Sequence, residues 1–235
     1  QTHTARGVPL ATVLDGLEDG LAEGLARHGV SGRLILCFLR HLSEEACFAA
    51  LAEAEPHIGR IHGFGLDSSE RGHPPSKFAR LFARCRELGK PVVAHAGEEG
   101  PPAYIVEALE LLGARRIDHG VRALEDPTLL TRLARDGVPL TVCPLSNIRL
   151  CVFPEMARHS LPVLLAAGAK VTLNSDDPAY FGGYLNANIR AVQAAFGFDA
   201  AMWYRLARNS FEASFATDEE KAGWIARLDA YFAGA

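Results

Sequence analysis

The sequence predicts an α/β protein in which six parallel β-strands alternate with helices. Six short apolar runs recur about every 30 residues, which is close to the ~31 residues per unit of a (β/α)8 (TIM) barrel. Most of these runs lack polar alternation, as expected for strands buried on both faces of a parallel sheet. We therefore expect one barrel domain over residues 1–235, incomplete at its N-terminal side, with barrel strands three to eight present.

The predicted strands and helices follow one another without a linker or a low-complexity break. The first 30 residues predict a helix with one apolar stripe. Ser43 is a predicted N-cap, Asp126 begins a helix that ends at Gly137, and Ser160 precedes a further helix. The alternative fold is a doubly wound sheet of six strands. The strands are predicted at 33–39, 60–66, 91–95, 115–120, 139–143 and 170–175.

Composition restricts the classes of function. With 49% hydrophobic and 22% charged residues, the chain has the composition of an ordinary globular protein. A net charge of −4 without a basic stripe argues against a nucleic-acid partner. No apolar stretch approaches the roughly 20 residues of a membrane span and no signal-peptide pattern is present, so we expect a cytoplasmic protein without membrane association. Five cysteines without a CxxC pair fit reduced thiols.

Polar residues follow the end of nearly every predicted strand. In a barrel the carboxyl ends of the strands meet at one mouth, which carries the active site. A single histidine at a strand end is more often a hydrogen-bonded rim histidine than a metal ligand. Six successive strand ends of the same character favour a functional site instead. The set comprises Arg40 and His41, residues 67–70, His95 and Glu98, His119, Ser146 and Asn147, and Asp176 and Asp177.

These residue types suit metal-assisted hydrolysis. Neutral imidazole and carboxylate groups are good zinc ligands, so His95 and Asp176 are the candidate metal ligands. A bound metal lowers the pKa of water toward ~7, and Glu98 and His119 are the candidate groups for moving protons. Catalytic zinc sites of this kind have at least three protein ligands, so these two ligands alone do not complete one.

Four motifs, HAGEE, RIDHG, TVCPLSN and NSDDP, occur in this order and together resemble the adenosine/adenine deaminase family of metal-dependent (β/α)8 hydrolases. The resemblance covers essentially the whole chain. It implies that His95 and Asp176 bind one zinc ion per subunit, with another divalent transition metal as the alternative. The family's His-x-His pair at the end of the first strand has no counterpart here, so the sequence resembles a family member that lacks its N-terminal portion.

The resemblance also implies roles in purine deamination. Glu98 would protonate a ring nitrogen of the purine, His119 would orient the attacking hydroxide, and Asp177 would hold N7 of the base. The implied reaction is the hydrolysis of adenine to hypoxanthine and ammonia in purine salvage. The enzyme would act on a small-molecule purine, and the formation of a homo-oligomer stays open. The alternatives are an adenosine deaminase and a catalytically incompetent, ligand-binding fragment.

Ser69 and Glu70 are the candidate determinants of substrate choice. We expect the adenosine branch of the family to have a glycine in this region, whereas the present sequence has DSSE. The physical hypothesis is that Glu70 fills the space of a ribose and accepts a hydrogen bond from N9–H, which only the free base carries. A site of this kind can discriminate by roughly 10⁴-fold or more. The alternative is a salt bridge between Glu70 and Arg71 or Lys77 at the rim.

Overall fold

The computed structural model describes residues 1–234 and contains a sheet of six parallel strands. The strands lie in the sheet in the same order as in the sequence. A doubly wound sheet reverses its strand order at a switch point, so the sequential order excludes that alternative and agrees with part of a (β/α)8 barrel. All six predicted strands are confirmed, as β1 Ile35–Leu39, β2 Gly63–Asp67, β3 Val92–Ala96, β4 Arg116–His119, β5 Pro139–Val142 and β6 Lys170–Leu173.

Helices connect successive strands and contact the sheet. Within residues 1–234, none of them is both long and apolar enough to cross a membrane. The α-helices are α1 Leu10–His28, α2 Glu44–Ala54, α3 Ala79–Glu87, α4 Pro102–Glu107, α5 Pro127–Asp136, α6 Pro144–Arg149, α7 Leu161–Ala166, α8 Pro178–Phe181, α9 Leu185–Phe196, α10 Ala200–Glu212 and α11 Asp218–Ala233. Single 3₁₀ or π turns lie at Thr4–Arg6, Glu55–Arg60, Pro75–Phe78, Ala108–Leu112, Val121–Glu125 and Met156–Arg158.

The core lies between the sheet and the helices that follow its strands. The ring of Phe38 on β1 packs against Phe64 on β2 and Phe82 on α3, with ring centroids 5.9 and 5.8 Å apart. All three rings are fully buried, and burial of each contributes about 1.5–3 kcal/mol. Strand β2 is buried at four successive residues, as expected for a strand covered on both faces. This packing fixes the wall of strands that carries the polar residues.

Local sequence signals set the ends of the helices. The Ser43 hydroxyl accepts the N–H of Ala46 at 3.1 Å, which confirms the predicted N-cap of α2. The Asp126 carboxylate accepts the N–H of Leu129 at 3.0 Å and caps α5 in the same way. Helix α5 ends before Gly137, whose φ of 63° lies in the left-handed region that favours glycine. These predictions from sequence are confirmed because each depends on contacts within a few residues.

Helix α1 is confirmed, but its apolar stripe is not a buried face. Leu17 and Leu25 are 49% and 56% exposed, and Leu14 is the buried residue of the helix. The contacts that hold α1 include ion pairs from Arg60 to Asp15 and Glu18, both at 2.7 Å. The helix therefore lies at the edge of the fold, where part of its apolar stripe stays in solvent.

Candidate active site

The carboxyl ends of β3 and β4 bring the predicted residues His95 and His119 together. The two strands are parallel neighbours in which His95 pairs with Asp118 and Ala96 pairs with His119. The two imidazole rings meet edge to face with centroids 4.8 Å apart. The residues are 24 positions apart in the sequence, so their contact arises from the parallel pairing of the strands and confirms that strand ends converge at one edge.

Glu98 and His119 form a buried polar contact at this edge. The Nδ1 atom of His119 lies 3.3 Å from Oε1 of Glu98, and the two side chains are 2% and 8% exposed. The amide Nδ2 of Asn147 donates to the same Oε1 at 2.6 Å and lies 3.4 Å from Nδ1 of His119. The sequence places Asn147 among the strand-end residues but indicates no role for it. Its role becomes visible only in the structure, where the buried amide contacts two titratable groups.

Burial shifts the pKa of both groups in opposite directions. It raises the pKa of the Glu98 carboxyl to about 7, and the charges of Asp176 and Glu70 act in the same direction. Burial lowers the pKa of His119 to about 3, and the neighbouring His95 contributes to this. The site therefore holds an acid that can carry a proton near neutral pH beside an imidazole that is neutral there.

His95 lies in an acidic environment formed by the neighbouring strand. Its Nδ1 atom is 3.5 Å from Oδ2 of Asp118, whose other oxygen accepts the hydroxyl of Thr141 at 2.7 Å. Burial works to lower the pKa of His95, but the Asp118 carboxylate outweighs it and the pKa rises to about 9. The surroundings of this imidazole thus favour a positive charge, which a proton or a metal ion supplies.

Asp176 reaches the same edge from the end of β6. Three side chains each bring one potential ligand atom to this place, and these atoms lie within 4.8 Å of one another; the side chains are those of Asp176, His119 and Cys143. Asp176 and His119 both have left-handed backbone conformations, with φ of 56° and 64°, and Ser68 after β2 has a φ of 75°. Such conformations cost about 1–3 kcal/mol each and cluster at functional sites. Their position at three strand ends agrees with a site at this edge.

Asp177 and Ser69 are exposed at the mouth and make local hydrogen bonds. Oδ1 of Asp177 accepts the N–H of Tyr180 at 3.2 Å and caps helix α8. The hydroxyl of Ser69 donates to Oε2 of Glu99 at 3.1 Å. Both side chains therefore have partners within the chain while lying open to solvent.

Glu70 has partners that neither sequence hypothesis anticipated. Its Oε2 accepts the N–H of Gly97 at 2.9 Å, and its Oε1 accepts those of Glu98 and Glu99 at 2.8 and 3.2 Å. The side chain is 2% exposed, and Arg71 pairs with Glu99 at 3.2 Å instead. The loop after β3 folds over the Glu70 side chain, so three backbone N–H groups donate to the carboxylate that the sequence hypothesis assigned to the N9–H of a base.

A cavity of about 710 Å³ lies away from these residues, at the amino ends of the strands. Ile35, Arg116 and Phe215 are among the residues that line it, and none of the predicted site residues does so within residues 1–234. Enzymes of barrel architecture carry their chemistry at the opposite, carboxyl face. The convergence of polar residues, rather than the volume of a cavity, therefore marks the candidate site.

The chain is similar to known proteins over nearly its whole length. The Adenosine deaminase family model matches residues 1–231. The chain is 60% identical over 233 residues to the adenine deaminase of Geotalea uraniireducens, in an alignment that covers 99% of this chain and 66% of that protein. The chain thus spans about two thirds of the length of the curated relatives that it matches.

Solved structures share the same fold. The crystal structure of adenine deaminase from Arthrobacter aurescens matches with a TM-score of 0.95 and 46% identity, over 97% of this chain and 70% of that one. An amidohydrolase from Burkholderia ambifaria, crystallised with bound Zn, matches with a TM-score of 0.91 and 26% identity, over 98% of this chain and 65% of that one. Both the family model and the identity to curated relatives extend over nearly all residues, and the chain therefore belongs to the adenosine deaminase family.

Proposed function

We propose that the chain carries the catalytic residues of a cytoplasmic enzyme of purine salvage that hydrolyses adenine to hypoxanthine and ammonia. The observation that carries the proposal is the buried contact between Glu98 and His119 at the carboxyl ends of the strands. A protonatable acid in contact with a neutral imidazole is suited to proton transfer. Similarity to proteins named adenine deaminase over 99% of the chain supports adenine as the substrate.

His95 and Asp176 fit a divalent metal by their chemistry, and the surroundings of His95 favour a positive charge. Asp118 faces Nδ1 of His95, an arrangement that leaves Nε2 to bind a metal ion. The carboxylates of Asp67, Asp118 and Glu98 favour a positive charge at this imidazole. We propose one zinc ion per subunit, in line with the Zn in the related amidohydrolase. When bound, zinc would supply hydroxide by lowering the pKa of a water molecule toward ~7.

Glu98 and His119 divide the proton chemistry between them. Glu98, with its pKa near 7, can carry a proton at neutral pH and give it to a ring nitrogen of adenine. His119 turns Nδ1 toward Glu98 and Asn147, which leaves its Nε2 atom to contact the oxygen that adds at C6. The hydroxyl group added at C6 then passes its proton to the exocyclic nitrogen, and cleavage of the bond from C6 to that nitrogen releases ammonia and leaves the 6-oxo purine.

The exposed residues at the mouth are the proposed contacts to the base. Asp177 is held in place by its bond to the first turn of α8, and we assign it to N7 of adenine. Ser69 follows β2 at the carboxyl edge of the sheet and is the second proposed contact. Glu70 supports the site by holding the loop that carries Glu98. Its contribution to adenine selectivity would therefore pass through the shape of that loop.

The test is purine turnover by the zinc-loaded full-length gene product, followed by absorbance with adenine and with adenosine. We expect turnover of adenine and binding of zinc. Glu98→Gln, which keeps the shape but cannot carry a proton, should lower kcat by about 10²–10⁴-fold. Glu99→Gln, which alters a neighbouring acid, is the control and should keep kcat.

Two results would contradict the proposed function. A preference for adenosine would identify an adenosine deaminase with the same machinery. Binding of zinc and purine without turnover of either substrate would instead identify a ligand-binding protein. Full activity of Glu98→Gln would show that the proton passes through a different group.

A further inference from the structure

A buried histidine that the proposed chemistry does not use lies behind the candidate site. His159 precedes helix α7, is 3% exposed, and packs its ring against Phe153 with centroids 4.5 Å apart. Its Nδ1 accepts the N–H of Leu161 at 3.0 Å, and its Nε2 lies 3.1 Å from Oδ1 of Asn147. Both ring nitrogens therefore have a partner, and one of these partners is the amide that contacts Glu98.

The directions of these hydrogen bonds follow from one backbone donor. Because the N–H of Leu161 can only donate, Nδ1 of His159 must accept and carries no proton. The proton of the neutral ring is then on Nε2, which donates to Oδ1 of Asn147. Burial lowers the pKa of His159 to about 4, so the ring is neutral at the pH of the cytoplasm.

This orientation places the two hydrogens of the Asn147 amide in the candidate site. With Oδ1 held by His159, the Nδ2 group faces Oε1 of Glu98 at 2.6 Å and Nδ1 of His119 at 3.4 Å. The short bond to Glu98 determines the role of that oxygen: the Nδ2–H group can only donate, so Oε1 accepts and the proton of Glu98 sits on Oε2.

We propose that His159 and Asn147 are positioning residues that determine which oxygen of Glu98 carries the proton for the reaction. The proposal rests on the proposed function, in which Glu98 gives a proton to the purine. Without the bond from His159, the carboxamide of Asn147 is free to turn over and present Oδ1 to Glu98. It would then hold the proton of Glu98 on the oxygen that faces away from the substrate.

Backbone contacts of Asn147 are separate from this function. Its carbonyl oxygen accepts the N–H groups of Val152 and Phe153 at 2.9 and 3.3 Å, which closes the turn after α6. Substitution of the side chain leaves these bonds in place. The effects of side-chain variants on proton placement can therefore be separated from effects on the fold.

The test compares variants of the zinc-loaded full-length gene product by kinetics and by ¹⁵N NMR of labelled histidines. His159→Phe keeps a ring of similar size but removes both hydrogen bonds, and we expect kcat to fall by about 10-fold or more with KM for adenine nearly unchanged. His159→Gln can still donate to Asn147, so it should recover most of kcat. Asn147→Asp removes both donors and should lower kcat by about 100-fold or more.

Asn209→Asp is the matched control for Asn147→Asp. Asn209 is also buried, and its amide donates to the carbonyl of Val171 at 2.8 Å, outside the site. This variant should lose stability but keep kcat. In the wild-type protein, NMR should show His159 as the Nε2–H tautomer, and Asn147→Asp should change the ¹⁵N chemical shift of that nitrogen.

The proposal is overturned if His159 carries its proton on Nδ1, or if folded His159→Phe keeps the kcat of the wild type. A thermal unfolding scan of each variant identifies any that fail to fold, in which case the wild-type tautomer of His159 and the kinetics of His159→Gln decide. A wild-type protein that turns over no purine would refute the proposed function alone. The tautomer of His159 would still show whether the chain of hydrogen bonds exists.

Discussion

Replacing Glu70 by Gln should destabilise the protein and slow the reaction through the loop after β3. The Glu70 carboxylate accepts the N–H groups of Gly97, Glu98 and Glu99 at 2.9, 2.8 and 3.2 Å. The side chain is 2% exposed, so water does not readily replace a lost partner. The loop carries Glu98, and its position therefore depends on this carboxylate.

The expected magnitude follows from the number of donors. A glutamine side chain offers one acceptor oxygen, so its NH₂ group must face at least one backbone N–H of the loop. A buried donor left without a partner costs about 1–3 kcal/mol, and the remaining bonds lose the strength that a charged acceptor gives. We expect Glu70→Gln to lower the free energy of unfolding by about 2–4 kcal/mol.

The assay is urea unfolding of wild type and variant, combined with hydrogen exchange of the backbone amides of residues 97–99. We expect faster exchange at these amides and a lower kcat, since Glu98 would no longer be held at one position. Glu99→Gln is the matched control, because the Glu99 side chain is 23% exposed and pairs with Arg71 at the surface. That control should change stability by less than about 1 kcal/mol.

A particular result would refute this reasoning. If Glu70→Gln keeps the stability and amide exchange of the wild type but raises KM for adenine, Glu70 contacts the base directly. That outcome would restore the hypothesis drawn from the sequence, in which the carboxylate accepts N9–H.

Three further substitutions test other contacts. Gly97→Ala should cost about 2 kcal/mol in urea unfolding, because φ is +71° and a Cβ would lie 2.5 Å from Ile105; an unchanged midpoint would contradict this. The wild type should lose about 3 kcal/mol of stability relative to His159→Phe as the pH falls from 7 to 4. The reason is that the pKa of His159 is lowered to about 4 in the folded protein, whereas the unfolded chain binds the proton near pH 6.5. A difference independent of pH would show that His159 titrates normally when folded. Asp118→Asn should weaken zinc binding about 10–100-fold in a chelator competition by loosening His95, and equal affinity would exclude that role.

Much of the fold could be predicted because its signals are local. The burial of a parallel strand on both faces leaves a continuous apolar run, and the six runs gave all six strands. Ser43 and Asp126 mark the starts of helices because a cap needs only the next few backbone N–H groups. The sequence alone does not exclude the doubly wound alternative, since strand order depends on pairing between distant segments.

The convergence of Glu98 and His119 could also be predicted, since residues at the ends of adjacent parallel strands must meet at one edge. The roles of Asn147 and Glu70 could not. Asn147 lies 49 positions from Glu98, and Glu70 lies 27 positions from Gly97. A polar side chain gives no indication in the sequence of which distant donor or acceptor it will meet.

The sequence by itself determined the α/β class, the strands and the set of residues at their carboxyl ends, because periodicity, capping and strand ends are properties of neighbouring residues. Only the tertiary structure decided the hydrogen-bond partners of that set. In it the Glu70 carboxylate accepts backbone N–H groups of the loop after β3, and His159 is linked through Asn147 to the acid of the site. These partners depend on distances between segments far apart in the chain, which are fixed only when the sheet and its helices pack together.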